Sequence, residues 1–380
     1  MKLKSKLGNI GTSIFSVMTE LANKYNAINL SQGFPDFEVS PELIELVNFF
    51  MKKGYNQYAP MPGIFELRKV ISDKIKNIHN KFYNPDTELT ITAGATQALY
   101  TAISVLINVG DEVVMFEPVY DSYAPAVLSN GGIPVFVKLK EPDYNIPWNQ
   151  VIEKISDKTK LIILNSPHNP TGKVLNEDDI KELESISKDR DIFIISDEVY
   201  EHIVFDNKRH ISLCESEILS KKTFVISSFG KTFHTTGWKI GYCAAPEYLS
   251  KEFRKLHQFV VFAVNTPIQY AYSTYLADSK NYLYLNNFYQ VKRDFFRELM
   301  KSSNFKLFQV EGTYFQLMDY SNISNLKDVE FSEYLTKEVG IAVIPLSPFY
   351  NSDYEGKVIR ICFAKRDEIL KKSAEKLKSI

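Results

Sequence analysis

Between residues 89 and 227 the chain alternates short, continuous apolar runs with helical patterns. LTITA (89–93) precedes the helix-like TQALYTAISVLI, and EVVMF (112–116), IPVFVK (133–138) and KLIILN (160–165) follow. A charged helical stretch from Asn176 then leads to DIFIIS (191–196) and TFVIS (223–227). Runs that are apolar at every position predict strands buried on both faces, and helices between them predict a mostly parallel sheet. Residues 46–278 are therefore read as one large α/β domain with a mostly parallel sheet flanked by helices. After Asn281 the texture changes. A long helix is predicted over LYLNNFYQVKRDFFRELM, then strands near 306–318, a helix near 330–339, and strands near 341–344 and 357–363. This is an α+β module. Residues 1–45 and 279–380 are assigned together to that smaller domain, the N-terminal segment packing with it.

Composition narrows the class. The 380 residues carry a formal net charge of −1 with 24% charged residues, which argues against a general nucleic-acid or membrane-surface binder. Cys214, Cys243 and Cys362 are odd in number and lack C-x-x-C spacing, which speaks against a disulfide framework or zinc site and suits a reducing cytoplasm. The basic start MKLKSKLGNIG has no apolar core behind it to make a signal peptide, and no run is long enough to span a bilayer.

In open α/β sheets ligands sit at the carboxyl ends of strands, so chemistry is sought there. After LTITA come Gly94, Ala95 and Thr96, small residues opening a helix. That is either an anion site suited to phosphate or an ordinary tight turn. After KLIILN comes the loop SPHNPTGK, in which Asn169 offers both donor and acceptor. After DIFIIS come Asp197 and Glu198, then Tyr200. Asp197 is either a helix N-cap or a buried carboxylate awaiting a cationic partner. After TFVIS comes SSFGKTFHTTGWKIG, with Lys231 and Lys239 eight residues apart and no carboxylate among them.

Lys231 could be a surface lysine or a desolvated, nucleophilic amine. A nucleotide P-loop fails, because Val225 stands where the first glycine is required. Metal chemistry is poorly served: Glu198 and His202 are four apart on a possible helix, with no further ligand at useful spacing. No G-x-S-x-G supports a serine hydrolase. The remaining signals converge on one sheet edge. A phosphorylated ring cofactor with a carbonyl for the lysine and a basic nitrogen for the aspartate would use them all.

With these residues in place, the sequence resembles the pyridoxal-phosphate aminotransferases of fold type I. The likeness runs from INLSQGFPDFE (28–38) to VIRICFAK (358–365), through NQYAPMPGIFELR, TAGATQAL, EPVYDSY, NSPHNPTGK, SDEVY and SSFGKTFHTTGWKIGY. Within the family it is most similar to the methionine aminotransferases, then to the kynurenine/glutamine-type enzymes. HQFVVFAVNTPIQ (257–269) points to the methionine branch.

The resemblance implies a cofactor, pyridoxal 5′-phosphate, and a role for each matching position. Lys231 would hold the cofactor aldehyde as a Schiff base and later move the Cα proton. Asp197 would pair with the pyridine nitrogen, while Asn169 and Tyr200 would hydrogen-bond the phenolic oxygen. Tyr120 would stack on the ring. Backbone N–H groups of Ala95 and Thr96, with Ser228 and Lys239, would hold the phosphate. Tyr58 would arrive from the neighbouring subunit of a homodimer. Arg360 would clamp the substrate carboxylate, helped by Asn169 and the Gly33 backbone. Phe15 stands where the kynurenine branch carries tryptophan, so an aromatic wall remains.

The activity implied is transfer of the amino group of an L-amino acid, with a methionine, aromatic or other large apolar side chain, to a 2-oxo acid. The nearest rival is a carbon–sulfur β-lyase, which shares the first proton abstraction and then expels a thiol. A ligand-sensing regulator would need a DNA-binding domain ahead of the fold, and only about thirty residues precede LSQGFPDF.

Overall fold

A computed structural model of the chain describes residues 5–8 and 10–380. Its frame is a seven-stranded sheet. From one edge the strands run Leu89–Thr92, Gly241–Ala244, Thr223–Ser228, Phe193–Asp197, Thr159–Asn165, Glu112–Glu117 and Ile133–Lys138. All neighbours pair parallel except Gly241–Ala244, which is antiparallel to both strands flanking it. The expected α/β class holds, and the six apolar runs form strands within one or two residues of their expected limits. The seventh strand, Gly241–Ala244, was not anticipated.

The continuous apolar runs are explained by burial on both faces. Leu161, Ile163, Ile195, Phe224 and Ile226 pack with Ala98, Ala102 and Ile103 from the helix Gly94–Leu106. Their neighbours Ile162, Leu164 and Ile194 face the other way, against Leu183 and Ile186 of the helix Glu177–Lys188. Each such fully buried aliphatic side chain contributes roughly 1.5–3 kcal/mol. The second helix starts where Asn176 accepts hydrogen bonds from the Asp178 and Asp179 N–H groups, while Asp179 accepts one from the Asn176 N–H. That reciprocal pairing satisfies donors a helix start otherwise leaves open.

A four-stranded antiparallel sheet lies C-terminal to this frame, in the order Ile344–Pro345, Val358–Cys362, Phe315–Asp319, Lys306–Leu307. Its long flanking helix is Leu285–Met300. The helix expected near 330–339 is α-helical only over Asp328–Tyr334 and widens into a π turn over Leu335–Val339. Ile28–Asn29 pairs in parallel with Ile341–Ala342, and the Cys362 N–H donates to the Leu30 carbonyl, so the N-terminal segment crosses onto the C-terminal module. Two alternatives left open next to Asp197 fall away. Residues 199–202 form turns, so no helix places Glu198 above His202, and Asp197 caps no helix.

Those turns are held by a buried polar cluster. Glu201 accepts from Lys74 (2.6 Å), Ser227 Oγ (2.7 Å) and Tyr242 OH (3.2 Å). Glu198 accepts from Ser196 Oγ (2.7 Å) and the Leu213 N–H (3.2 Å), and pairs with His210 Nε2 (2.9 Å). His79 Nδ1 lies 2.8 Å from Glu215, with Glu201 near its other nitrogen. Burial alone would depress His79, but the two carboxylates outweigh it and hold its pKa at about 9. A histidine raised in the fold stabilises fully below its unfolded value near 6.5 and loses that contribution as pH rises through 9. The urea midpoint is therefore expected to fall between pH 6.5 and 9. His79→Gln, destabilised at pH 6.5 by on the order of 2 kcal/mol, should show a clearly shallower fall over that window. An equally steep fall in the variant would refute this assignment.

Candidate active site

The sheet register gathers the chemistry at one edge. Asn165 is paired with Asp197, Asp197 with Ile226, and Ser228 with Gly241, so the carboxyl ends of three parallel strands align. The antiparallel seventh strand starts at that same edge and delivers Lys239 there, two residues before its first position. Between these ends and the N- and C-terminal segments lies a cleft of about 280 Å³. Twelve of the thirteen site residues expected from sequence line it: Phe15, Gly33, Ala95, Thr96, Tyr120, Asn169, Asp197, Tyr200, Ser228, Lys231, Lys239 and Arg360. The thirteenth, Tyr58, lies outside. It is 81% exposed and meets Phe262 edge-on at 5.1 Å.

At one end of the cleft the chain forms an anion cradle. The helix Gly94–Leu106 begins at the cleft, which Gly94, Ala95 and Thr96 line, and no side chain caps its first N–H groups. Lys239 adopts a left-handed conformation (φ +54°), which turns its side chain toward that helix start. Its Nζ stands 3.3 Å from where a Cβ on Gly94 would be. Gly241 keeps the two segments together: a Cβ there would lie 2.6 Å from the Ser227 carbonyl oxygen and 3.1 Å from the Ala95 nitrogen.

In the middle of the cleft is Asp197, 3% exposed. Burial raises its carboxyl to about 6, opposed by a 2.5 Å hydrogen bond from the Tyr123 hydroxyl and by the Val199 N–H. Tyr123 was not singled out from sequence, where it reads as one more core aromatic. Asn165, also missed, donates through Nδ2 to the Asp197 carbonyl (2.8 Å) and accepts from the Asn169 N–H (2.7 Å). It thereby ties the two strand ends together. Tyr200 is buried edge-on against Tyr314 and Phe315, and burial pushes its phenol well up.

Lys231 is enclosed by protein except toward the cleft. Its surroundings, with Arg360 and Lys239 adding repulsion, pull the amine down to about 8, and Cys362 and Asp197 oppose this. No carboxylate pairs with it among the described residues; its Nζ donates to the Gly33 carbonyl at 3.0 Å. Arg360 is wholly buried, and burial lowers it to about 10. Its Nη1 donates to Asn169 Oδ1 (2.7 Å) and its Nη2 to the Ser31 carbonyl (2.9 Å), while Nε has no partner among the described residues. Phe315 lies 3.9 Å from the guanidinium, with Phe15 at 5.1 Å and Phe349 at 5.4 Å. The loop carrying Phe349 is pinned to the large sheet by Glu117, which accepts from Ser352 Oγ (2.7 Å) and from the Asn351 and Ser352 N–H groups.

These residues fit a phosphorylated aromatic aldehyde. The cradle suits a phosphate, the enclosed amine at about 8 suits a carbonyl carbon, and a buried carboxylate short of a cationic partner suits a protonated ring nitrogen. Fold and cleft together define a pyridoxal-phosphate-dependent transferase.

Comparison with known proteins sharpens the class. The profile of the aminotransferase class I and II family matches residues 25–377, and the chain belongs to that family. A methionine aminotransferase of Escherichia coli (strain K12) is 45% identical over 378 residues, spanning 99% of this chain and 98% of its own. The solved structure of YbdL from Escherichia coli, identified there as having a methionine aminotransferase function, matches with a TM-score of 0.98 at 45% identity over 100% of both chains. A kynurenine–oxoglutarate transaminase of Dictyostelium discoideum is 34% identical, covering 99% of this chain and 96% of its own. The protein is a pyridoxal-phosphate-dependent aminotransferase acting on amino acids and 2-oxo acids. Its kinship with aminotransferases favours transfer over the carbon–sulfur cleavage considered above.

Tyr123→Phe tests the support of Asp197. Losing a hydrogen bond to a charged acceptor costs about 1.5–3 kcal/mol, so affinity for pyridoxal phosphate should fall at least tenfold at pH 7. The loss should shrink at higher pH, where the carboxylate is ionised without help. A pH-independent affinity equal to wild type would show that Tyr123 does not support Asp197.

Proposed function

We propose that this aminotransferase takes the amino group of a large apolar or sulfur-containing L-amino acid, methionine foremost, and passes it to a 2-oxo acid. The observation that carries this reading is the setting of Arg360: a buried guanidinium without a carboxylate partner among the described residues, walled by phenylalanines. One carboxylate completes it. The other cations lining the cleft, Lys231 and Lys239, belong to the cofactor's aldehyde and phosphate, which leaves none for a second carboxylate on the donor. An apolar side chain lies against Phe15 instead. Similarity to a methionine aminotransferase supports the same choice.

Pyridoxal phosphate, when bound, supplies the carbonyl that takes up the donor amine and a ring that receives the electron pair left at Cα. This chain's residues do the rest. Arg360, with the Asn169 amide and the Gly33 N–H, fixes the donor carboxylate so that the Cα hydrogen faces Lys231. Lys231 Nζ, once released, would take that proton as general base and give it up again as general acid when the cofactor is bound. Asp197, held by Tyr123, keeps the ring nitrogen protonated. With the cofactor bound, Asn169 and Tyr200 would hydrogen-bond its phenolic oxygen, Tyr120 would lie against its ring, and Ala95, Thr96, Ser228 and Lys239 would hold its phosphate.

A homodimer in a cytoplasmic setting completes the proposal, with Tyr58 of the partner subunit joining the cofactor site. The exposed aromatic surface of Tyr58, Phe259 and Phe262 supports such an interface. No helix among the described residues is long and apolar enough to cross a membrane. The division into a large domain over 46–278 and a smaller one from 1–45 with 279–380 belongs to the same proposal. Pairing of residues 28–29 with 341–342 supports it.

Twenty amino acids assayed against several 2-oxo acids test the substrate assignment, and preference for aspartate or glutamate over methionine would overturn it. Lys231→Ala should lose the borohydride-reducible cofactor bond and the yellow colour. Arg360→Ala should keep the colour while raising KM for the donor about a hundredfold or more. An unchanged KM would remove Arg360 from the substrate site.

A further inference from the structure

Once a substrate amine displaces it from the cofactor, Lys231 is a free amine. Where it rests therefore matters to the step it then performs. Its Nζ donates to the Gly33 carbonyl at 3.0 Å, and the same carbonyl accepts the Tyr314 hydroxyl at 2.6 Å. Tyr314 is 0% exposed, wedged between Tyr200 and Phe315 at 5.2 and 5.0 Å. The rings of Tyr200 and Tyr314 lie 5.8 and 5.7 Å from Nζ, so the amine has an aromatic surround besides its acceptor. Gly33 is itself pressed onto Phe315, whose ring would stand 2.6 Å from any Cβ there.

We propose that Tyr314 is a positioning residue for proton transfer: by fixing the Gly33 carbonyl, it seats the released Lys231 amine beside the donor's Cα. A carbonyl oxygen carries two lone-pair directions. The tyrosine occupies one, so the peptide cannot swing, and the amine is held on the other. One N–H of Lys231 is then committed to Gly33, and the nitrogen lone pair stays available to the Cα proton. That proton forms a bond to Nζ as the Cα–H bond breaks, and it leaves Nζ for the adjacent cofactor carbon, so the amine ends as it began. Gly33 thus serves both partners of the transfer. Its neighbour Ser31 accepts from Arg360, so the segment that seats the base also touches the carboxylate clamp. The inference rests on the aminotransferase reading for its catalytic consequence, but the seat itself does not.

Tyr314→Phe removes one oxygen and keeps the packing, and it tests the proposal on the full-length protein. With cofactor bound, kcat for the amino-acid half-reaction should fall about tenfold, since a small misplacement of a reacting group is costly. The primary isotope effect with α-deuterated donor should rise as proton transfer becomes limiting. Donor KM and affinity for pyridoxal phosphate should stay within about twofold of wild type. A second readout needs no turnover: acylation of Lys231 in the cofactor-free protein, followed by mass spectrometry across pH. Besides Tyr314 itself, the charged and titratable neighbours of the amine are Cys362, Arg360, Lys239, Asp197 and Tyr200, none of them substituted in this variant. With the tyrosine gone, the Gly33 carbonyl serves the ammonium alone, so the labelling midpoint should rise by roughly half a pH unit or more. Unchanged kcat, isotope effect and midpoint overturn the proposal. A fall in cofactor affinity matching the fall in rate also overturns it, by placing Tyr314 in cofactor binding. Absence of transamination in wild type together with a shifted midpoint would sink the functional reading and leave the seat standing.

Discussion

Two cations facing one cleft without carboxylate partners among the described residues are the constraint around which the rest is arranged. Burying a charge without a counter-ion costs several kcal/mol, and folded chains usually avoid it. Here Arg360 is wholly enclosed and Lys231 nearly so, and each makes do with neutral acceptors: Asn169 Oδ1 and the Ser31 carbonyl for one, the Gly33 carbonyl for the other. Both are pulled down from their ordinary values by burial, to about 10 and about 8. The arrangement is sustained by surroundings that cannot move. Phe315 and Phe349 beside Arg360 and Tyr200 and Tyr314 beside Lys231 are buried, and Glu117 pins the loop that carries Phe349. In the function proposed, a substrate carboxylate relieves one cation and bonding to a carbonyl carbon relieves the other.

Asp197 is the mirror image, a carboxylate without a cation close by. Its carboxyl, raised to about 6, and the amine, lowered to about 8, have moved toward each other. Environments that draw acid and base toward neutrality mark acid–base sites. The Glu198 and Glu201 carboxylates immediately after it are satisfied by a separate set of donors. So the buried cluster below the site does not compete for the cofactor.

The sheet was legible because strands buried on both faces must be apolar throughout, and runs such as KLIILN admit little else. Gly241–Ala244 escaped because a four-residue strand containing tyrosine and cysteine carries too little pattern, although the antiparallel reversal it makes is what brings Lys239 home. Lys231, Asp197 and Asn169 could be found because polar residues at the ends of apolar runs stand out. Tyr123 and Tyr314 could not: in a chain with 22 tyrosines, a phenol whose hydroxyl supports a carboxylate or a carbonyl looks like any core aromatic. The helical spacing of Glu198 and His202 corresponds to no helix for a related reason. Polar side chains at helical spacing there answer to Lys74, Ser227 and His210 from distant segments, and those hydrogen bonds hold turns instead.

What unites the missed residues is that they act through another group. Tyr123 acts through Asp197, Asn165 through Asn169 and the Asp197 carbonyl, Tyr314 through Gly33, Glu117 through the loop bearing Phe349. Residues that meet cofactor or substrate directly are constrained by chemistry, and chemistry leaves a recognisable residue type at a recognisable place. Residues behind them are constrained by geometry alone, so the same duty can fall to any donor or acceptor that reaches. The glycines show the boundary between the two kinds. Gly241 and Gly33 touch the site by lacking a side chain, one letting the Ser227 and Ala95 backbones come close, the other letting Phe315 pack against the backbone that carries the Gly33 carbonyl. Lys231 and Lys239 were puzzling as neighbours in sequence because the groups that place them arrive from the N-terminal segment, the first helix of the large sheet and the C-terminal strands. Only the register of those elements sets Lys231 beside the Gly33 carbonyl and Lys239 against the helix start at Gly94.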